Sequence, residues 1–222
     1  MTTDDLVAFW SRLGNGTVHP EDDRRLLDTS GFETRLLPLP WNGQIMSAHV
    51  FVAFLNPGLD PGDVPYEQRN MQYCERLRQN LHGYDPYVYF DPSYLDHPGA
   101  AWARATFGPD WPSSYADRLC VIQLVAYHSP DGKGPDKVSD HLRSTWAMKS
   151  WVHRTLLARV RSKDAVLVVG RGVAKFGLQT ATEAENFVCY RPPGNEFRRA
   201  HMTAKTRGGD ALRRFLGLPT GT

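Results

Sequence analysis

The sequence predicts a single α/β domain built on a four-stranded parallel sheet with helices on both faces, a three-layer sandwich. Three observations predict it. Four short apolar runs, His49–Leu55, Leu119–Ala126, Asp164–Gly170 and Phe187–Tyr190, are rich in β-branched and aromatic residues. Such runs read as strands buried on both faces. Segments of helical spacing lie between them, and alternation of strand and helix implies parallel crossover connections. A length of 222 residues favours one domain over 1–222, with 1–48 as an N-terminal helix and loop extension.

The elements follow in order. Leu6, Phe9, Trp10 and Leu13 share one face of a helix over 3–13, which Gly14 ends. Residues 14–48 are loop-rich, with Pro38, Pro40, Trp41 and Gly43 leading into the first strand. That strand is stopped by Asn56-Pro-Gly-Leu-Asp-Pro-Gly62, a stiff loop that delivers Asn56 to the strand's carboxyl end, where open α/β sheets bind ligands. The same residues also make an ordinary turn. Pro65 suits the first turn of a helix whose buried face carries Met71, Cys74, Leu77 and Leu81, closed by Gly83. Residues 84–94 hold five aromatics without helical period; they pack on the core or offer flat faces for stacking a base. The second strand carries one polar residue, Gln123, and His128 lies beyond its end. A helix over 139–161 turns Leu142, Trp146, Val152, Leu156 and Val160 inward. Gly170-Arg-Gly-Val-Ala-Lys-Phe-Gly177 follows the third strand, but its last glycine is misplaced for a dinucleotide fingerprint, so a tight turn is expected. A final helix over 208–216 ends at Gly217.

Composition narrows the function. With 41% hydrophobic and 23% charged residues the chain reads as a soluble globular protein. No apolar run approaches the roughly 18 residues of a membrane span, and the acidic start is no signal peptide, so no membrane partner is expected. Three widely spaced cysteines exclude a four-cysteine metal site and suggest a reducing cytoplasm; no metal or cofactor is expected. No Walker loop, H-E-x-x-H or G-x-S-x-G occurs. The net charge of +2 is uneven: residues 1–33 hold seven acids against three arginines, whereas Arg198, Arg199, Lys205, Arg207, Arg213 and Arg214 crowd the C-terminal end. A basic run is a solvated face or a phosphate footprint.

Three features in fixed order carry a resemblance: Phe54-Leu-Asn-Pro-Gly58 after the first strand, Gln123 in Cys120-Val-Ile-Gln-Leu-Val, and Ala200-His-Met-Thr-Ala-Lys-Thr206 after the last. This arrangement resembles the uracil-DNA glycosylase superfamily over about residues 49–216. The resemblance implies a metal-free, monofunctional DNA glycosylase that hydrolyses the N-glycosidic bond of a flipped, non-standard pyrimidine and leaves an abasic site. In it Asn56 holds the water through its amide oxygen, and His201 donates, as a neutral imidazole, to the departing base. Gln123 reads the base edge, Leu55, Pro57 and Gly58 shape the pocket, and Tyr89 or Phe90 stacks on the base. His128 lines the pocket, Asp60 or Asp63 assists the water, and Arg198, Arg199, Lys205 and Arg207 hold phosphates. The partner is DNA, duplex with a flipped base or single-stranded, and the protein a cytoplasmic monomer. Asn56 cannot take a proton, Gln123 is longer than the family's Asn, and the second motif lacks the family's Pro and Ser. These departures point from uracil toward a bulkier base such as glucosylated hydroxymethylcytosine, the substrate of a phage-defence enzyme. The rival readings are a non-catalytic base-sensing module and a nucleotide or sugar-phosphate enzyme.

Overall fold

The structure is a computed structural model that describes residues 1–109, 111, 113–131, 133–192 and 201–220. Its strands are β1 (Trp41–Gly43), β2 (Val50–Phe54), β3 (Leu119–Gln123), β4 (Val166–Val169) and β5 (Phe187–Cys189). They form one five-stranded sheet in the order β1-β3-β2-β4-β5. Pairing is parallel from β3 through β5, and β1 alone runs antiparallel, with Trp41 opposite Ile122 and Asn42 opposite Val121. The four strands expected from apolar runs are present, and the expectation of a four-stranded, wholly parallel sheet is corrected by β1. Three residues are too short to display a period of two. Gly43 is required there: its φ is +114°, and a Cβ would fall 2.1 Å from the Leu119 carbonyl oxygen.

Successive side chains of a strand face opposite ways, so each strand feeds two cores. Phe51, Ala53, Ile122, Leu167 and Val169 join one cluster. It is covered by α1 (Thr3–Ser11) and by α7 (Arg143–Trp151), which runs through a π turn (Val152–Leu156) into α8 (Leu157–Arg161). Val50, Val52, Phe54, Val121, Val166 and Val168 face the other cluster, under α4 (Met71–Asn80), α5 (Pro98–Phe107) and α9 (Arg207–Leu216). Each fully buried aliphatic side chain contributes about 1.5–3 kcal/mol. The remaining helices are α2 (Arg24–Thr29), α3 (Asp63–Arg69) and α6 (Lys133–Val138).

Residues 1–48 are part of this core. Thr2 and Asp5 cap α1 reciprocally, and Leu6, Phe9 and Trp10 are buried in the same cluster as Trp151. Two inward assignments fail. Trp146 is 55% exposed, because α7 buries the stripe Ser144, Thr145, Ala147, Met148 and Trp151 on its opposite side. Met71 is 75% exposed at the first position of α4, whose buried face is Tyr73, Leu77 and Asn80. Asn80 closes the outer edge of β1: its Oδ1 accepts from the Gly43 N–H at 3.0 Å and its Nδ2 donates to the Trp41 carbonyl at 2.8 Å.

Candidate functional site

A cavity of about 490 Å³ opens outside the carboxyl ends of β2, β3 and β4. In this strand order the chain runs from the central β2 to β3 on one side, then crosses to β4 on the other, and such a crevice is where open α/β sheets bind ligands. Leu55, Asn56, Pro57, Gly58, Asp60, Tyr89, Gln123, His128 and His201 all line it. Residues far apart in sequence are thus brought to one wall.

Asn56 is held firmly. Its Nδ2 donates to the Pro57 carbonyl at 2.6 Å and to Ser129 Oγ at 2.9 Å. The single Ser129 hydroxyl hydrogen is spent on the Asp131 carbonyl at 2.7 Å, so Oγ meets Asn56 as an acceptor. Both partners demand a donor, which fixes the amide's orientation and leaves Oδ1 without a donor among the described residues. The Ser129 N–H also donates to the Pro57 carbonyl at 3.2 Å, tying the loop after β3 to the loop after β2.

His128 is buried behind this loop. Its Nδ1–H donates to the Gly58 carbonyl at 2.8 Å, and its Nε2 finds no partner among the described residues. Burial lowers the pKa of the ring, against the opposing pull of the Gly58 and Leu37 backbone carbonyls and the Asp63 carboxylate. Gln123 ends β3 opposite Phe54, and its Oε1 is buried without a partner among the described residues. Asn42 Nδ2 and the Tyr87 hydroxyl, on two other lining residues, are likewise buried without a partner among the described residues. Buried polar groups ordinarily find partners, so these four atoms, each shut off from solvent, are exceptions clustered on residues that line one cavity.

The acids of the loop have structural roles. Asp60 Oδ1 accepts from the Gly62 N–H at 2.8 Å, and Asp63 Oδ2 accepts from the Asp60 N–H at 2.7 Å. Burial raises the Asp63 carboxyl above its usual range. His97 accepts from the Gly99 N–H through Nδ1 and faces Asp63 Oδ1 with Nε2 at 3.9 Å; burial holds its pKa down to about 4.

His201 is positioned from three sides. Its Nδ1–H donates to the Ala105 carbonyl of α5 at 2.7 Å, and its own carbonyl accepts from Thr206 Oγ1 at 2.8 Å. The neighbouring Met202 is buried, with its N–H on the Thr106 carbonyl. α9 presses down on this segment because Gly209 has no side chain: a Cβ there would lie 1.9 Å from the Thr203 carbonyl oxygen. The Ala105 bond corrects one expectation. A neutral ring that carries its hydrogen on Nδ1 offers Nε2 as an acceptor, so only the doubly protonated ring can donate from Nε2.

The aromatic assignments change. Phe90 does not line the cavity; its ring packs against Tyr87 and Phe107 at 5.0 and 5.7 Å. Tyr89 lines it but is already covered: a Cβ on Gly99 would fall 2.3 Å from the ring, and His97 stacks on it at 5.2 Å. The aromatic face left to a ligand is Trp102 of α5, 41% exposed at the cavity and set edge-to-face on Phe54 at 5.3 Å.

Of the basic residues, Lys205 is exposed without an ion pair among the described residues. Arg207 is bonded to Glu183 at 2.8 Å and lies over the Tyr190 ring. Arg213 is buried beside Trp111, and Arg214 pairs with Asp210 and Glu185. Arg198 and Arg199 lie outside the described residues. Arg171, directly after β4, brings a cation to the cavity wall. Among the described residues no cluster of three or more His, Cys, Asp or Glu is placed to hold a metal, and no helix is long and apolar enough to cross a membrane.

Asn42, Tyr87, Trp102 and Ser129 are site residues that sequence reasoning did not single out. Tyr87 lay within the aromatic segment and Ser129 beside His128, whereas Asn42 and Trp102 carried no local signal. Comparison with family models, curated proteins and solved structures returns no match.

Proposed function

We propose that the chain is a monofunctional DNA glycosylase that hydrolyses the N-glycosidic bond of a flipped, non-standard pyrimidine and leaves an abasic site. The observation that carries this reading is the Asn56 amide, oriented by its two Nδ2 bonds, in the lining of a cavity that Gln123 and His201 also line. Departure of the base develops positive charge on the sugar and negative charge on the pyrimidine, as at other glycosidic centres. A water accepted by Asn56 Oδ1 would be oriented to add at the anomeric carbon as the C–N bond breaks. The bond's electron pair leaves with the base, and one water proton ends there. Protonated His201 would donate from Nε2 to the leaving oxygen, with the Ala105 carbonyl orienting the ring. Trp102 would stack on the flipped base, which cannot react inside a duplex. Lys205, exposed and without an ion pair among the described residues, would meet a backbone phosphate. The cavity volume suits a base larger than uracil, hypermodified cytosine included.

A second reading, a base-sensing module without chemistry, is favoured by one observation. Asp60 and Asp63 each commit a carboxylate oxygen to a loop N–H, which ties both acids to the shape of the loop. Abasic-site formation on DNA containing uracil, thymine mismatch, hydroxymethylcytosine or glucosylated hydroxymethylcytosine decides between them. Cleavage of one substrate after alkali, lost in Asn56→Ala, supports the enzyme. Retained binding without cleavage supports the sensor.

A further inference from the structure

Residues 133–175 carry ten lysines and arginines against three aspartates, a net +7 in a chain whose total is +2. All three aspartates are already paired: Asp136 with Lys175, Asp140 with Lys149 and Asp164 with Arg159. Arg143, Arg154 and Arg161 are exposed and enter no ion pair among the described residues. With Trp146 they recur at spacings of three, eight and seven residues, which keeps them on one side of the continuous helix formed by α7, the π turn and α8. This helix covers the face of the sheet opposite α5 and α9.

A groove of about 430 Å³ lies in this surface, lined by Trp146, Lys149, His153 and Arg154 of the helix and by Lys175 and Phe176 of the loop after β4. None of its lining residues lines the cavity. Its parts are tied together: the His153 Nε2–H donates to the Phe176 carbonyl at 2.7 Å, and Lys175 Nζ donates to the Asp136 carbonyl at 3.4 Å. Trp146 is held as well. Its indole N–H donates to the Asp140 carbonyl at 3.3 Å and the Lys149 ammonium lies 5.5 Å from the ring centre, yet the residue is 55% exposed. A ring held in this way gives up little freedom when a second flat group stacks on it. An apolar partner would bury the free guanidinium groups without a counter-charge, at a large cost. An unpaired nucleic-acid strand answers both features, since its bases stack on an aromatic ring and its phosphates meet cations. We infer that this groove, with Arg143, Arg154 and Arg161, binds a single strand of nucleic acid at a surface separate from the cavity.

Fluorescence anisotropy with a labelled oligothymidylate tests it on the wild type, Trp146→Ala, Trp146→Phe and Arg154→Gln. Both side chains are exposed, so the variants are expected to melt at the wild-type temperature. Trp146→Ala should weaken binding about tenfold, the loss of one base–aromatic stack, and Trp146→Phe should recover most of it. Arg154→Gln should lower the slope of log affinity against log salt by about 0.7, the share of one phosphate contact on a single strand. No binding by the wild type, or equal affinities and slopes in all four proteins, overturns the inference. Polyglutamate that competes as well as unlabelled oligothymidylate would assign the surface to an acidic protein segment and overturn it too. The readout is binding and not cleavage, so an inactive cavity leaves these expected results unchanged.

Discussion

Asn56 and Ser129 are joined across two loops by a 2.9 Å hydrogen bond whose direction is forced, because the Ser129 hydroxyl hydrogen is already given to Asp131. In the proposed hydrolysis the bond orients the amide so that its oxygen, and not its nitrogen, would meet the water. In Ser129→Ala the amide loses one of its two anchors. The turnover rate on the substrate found by the panel is expected to fall roughly 10- to 100-fold with KM nearly unchanged, since small misplacements of a positioning group act on the chemical step. Single-turnover abasic-site assays would show it, and an unchanged rate would mean that Pro57 alone suffices to hold the amide.

Trp102 predicts a binding effect instead. Its exposed face at the cavity rests edge-on against Phe54 and supports little of the core. Trp102→Ala should weaken binding to DNA that presents an unpaired target base about tenfold or more, within the roughly 1–3 kcal/mol of a base–aromatic stack. Trp102→Phe should restore most of the loss. Fluorescence anisotropy reads both, and equal affinities for all three proteins would place the base elsewhere.

The cations proposed to meet phosphates divide by their present partners. Lys205→Ala should lower the slope of log affinity against log salt by about 1. Arg207→Ala should change it less, because that guanidinium is already held by Glu183, a carboxylate it shares with Arg191. Titrations at several salt concentrations distinguish the two, and equal slopes would show that DNA displaces Glu183.

Glu67 gives a pH dependence of stability. Burial raises its pKa to about 7 from the ordinary 4.5, although its carboxylate accepts from the Leu37 N–H. The folded state therefore holds this proton more tightly than the unfolded chain, and stability is lost as pH rises from 4.5 through 7. Glu67→Gln should leave stability near pH 4 almost unchanged and raise it by about 2–3 kcal/mol at pH 8. Urea unfolding at the two pH values measures it. The buried neutral His97 acts in the opposite direction, its contribution being lost as pH falls from 6.5 toward 4.

Legibility in the sequence followed length and burial. β2 through β5 were visible because strands buried on both faces are uninterrupted apolar runs. β1 was not, since three residues have no period, and its Asn42 became a site residue only through pairing with β3. Trp146 was placed inward on hydrophobicity, yet α7 buries Ser144 and Thr145 against the sheet side and leaves the indole outside, under the Lys149 ammonium. At the site, Asn56, Gln123 and His201 were found because they sit at strand ends or just beyond the last strand. Trp102 and Ser129 were not, because their places at the cavity come from packing between elements distant in sequence.

The two outermost strands bear on how the protein behaves in crowded solution. Sheets grow between molecules by adding strands to bare edges. Here both flanks are three residues long and already answered within the chain: the Asn80 amide imitates a neighbouring strand along β1, and Ala184 exchanges both backbone hydrogen bonds with Phe187 on β5. A second molecule finds little backbone left to pair with. The sheet that shapes the cavity is thereby protected against templated aggregation.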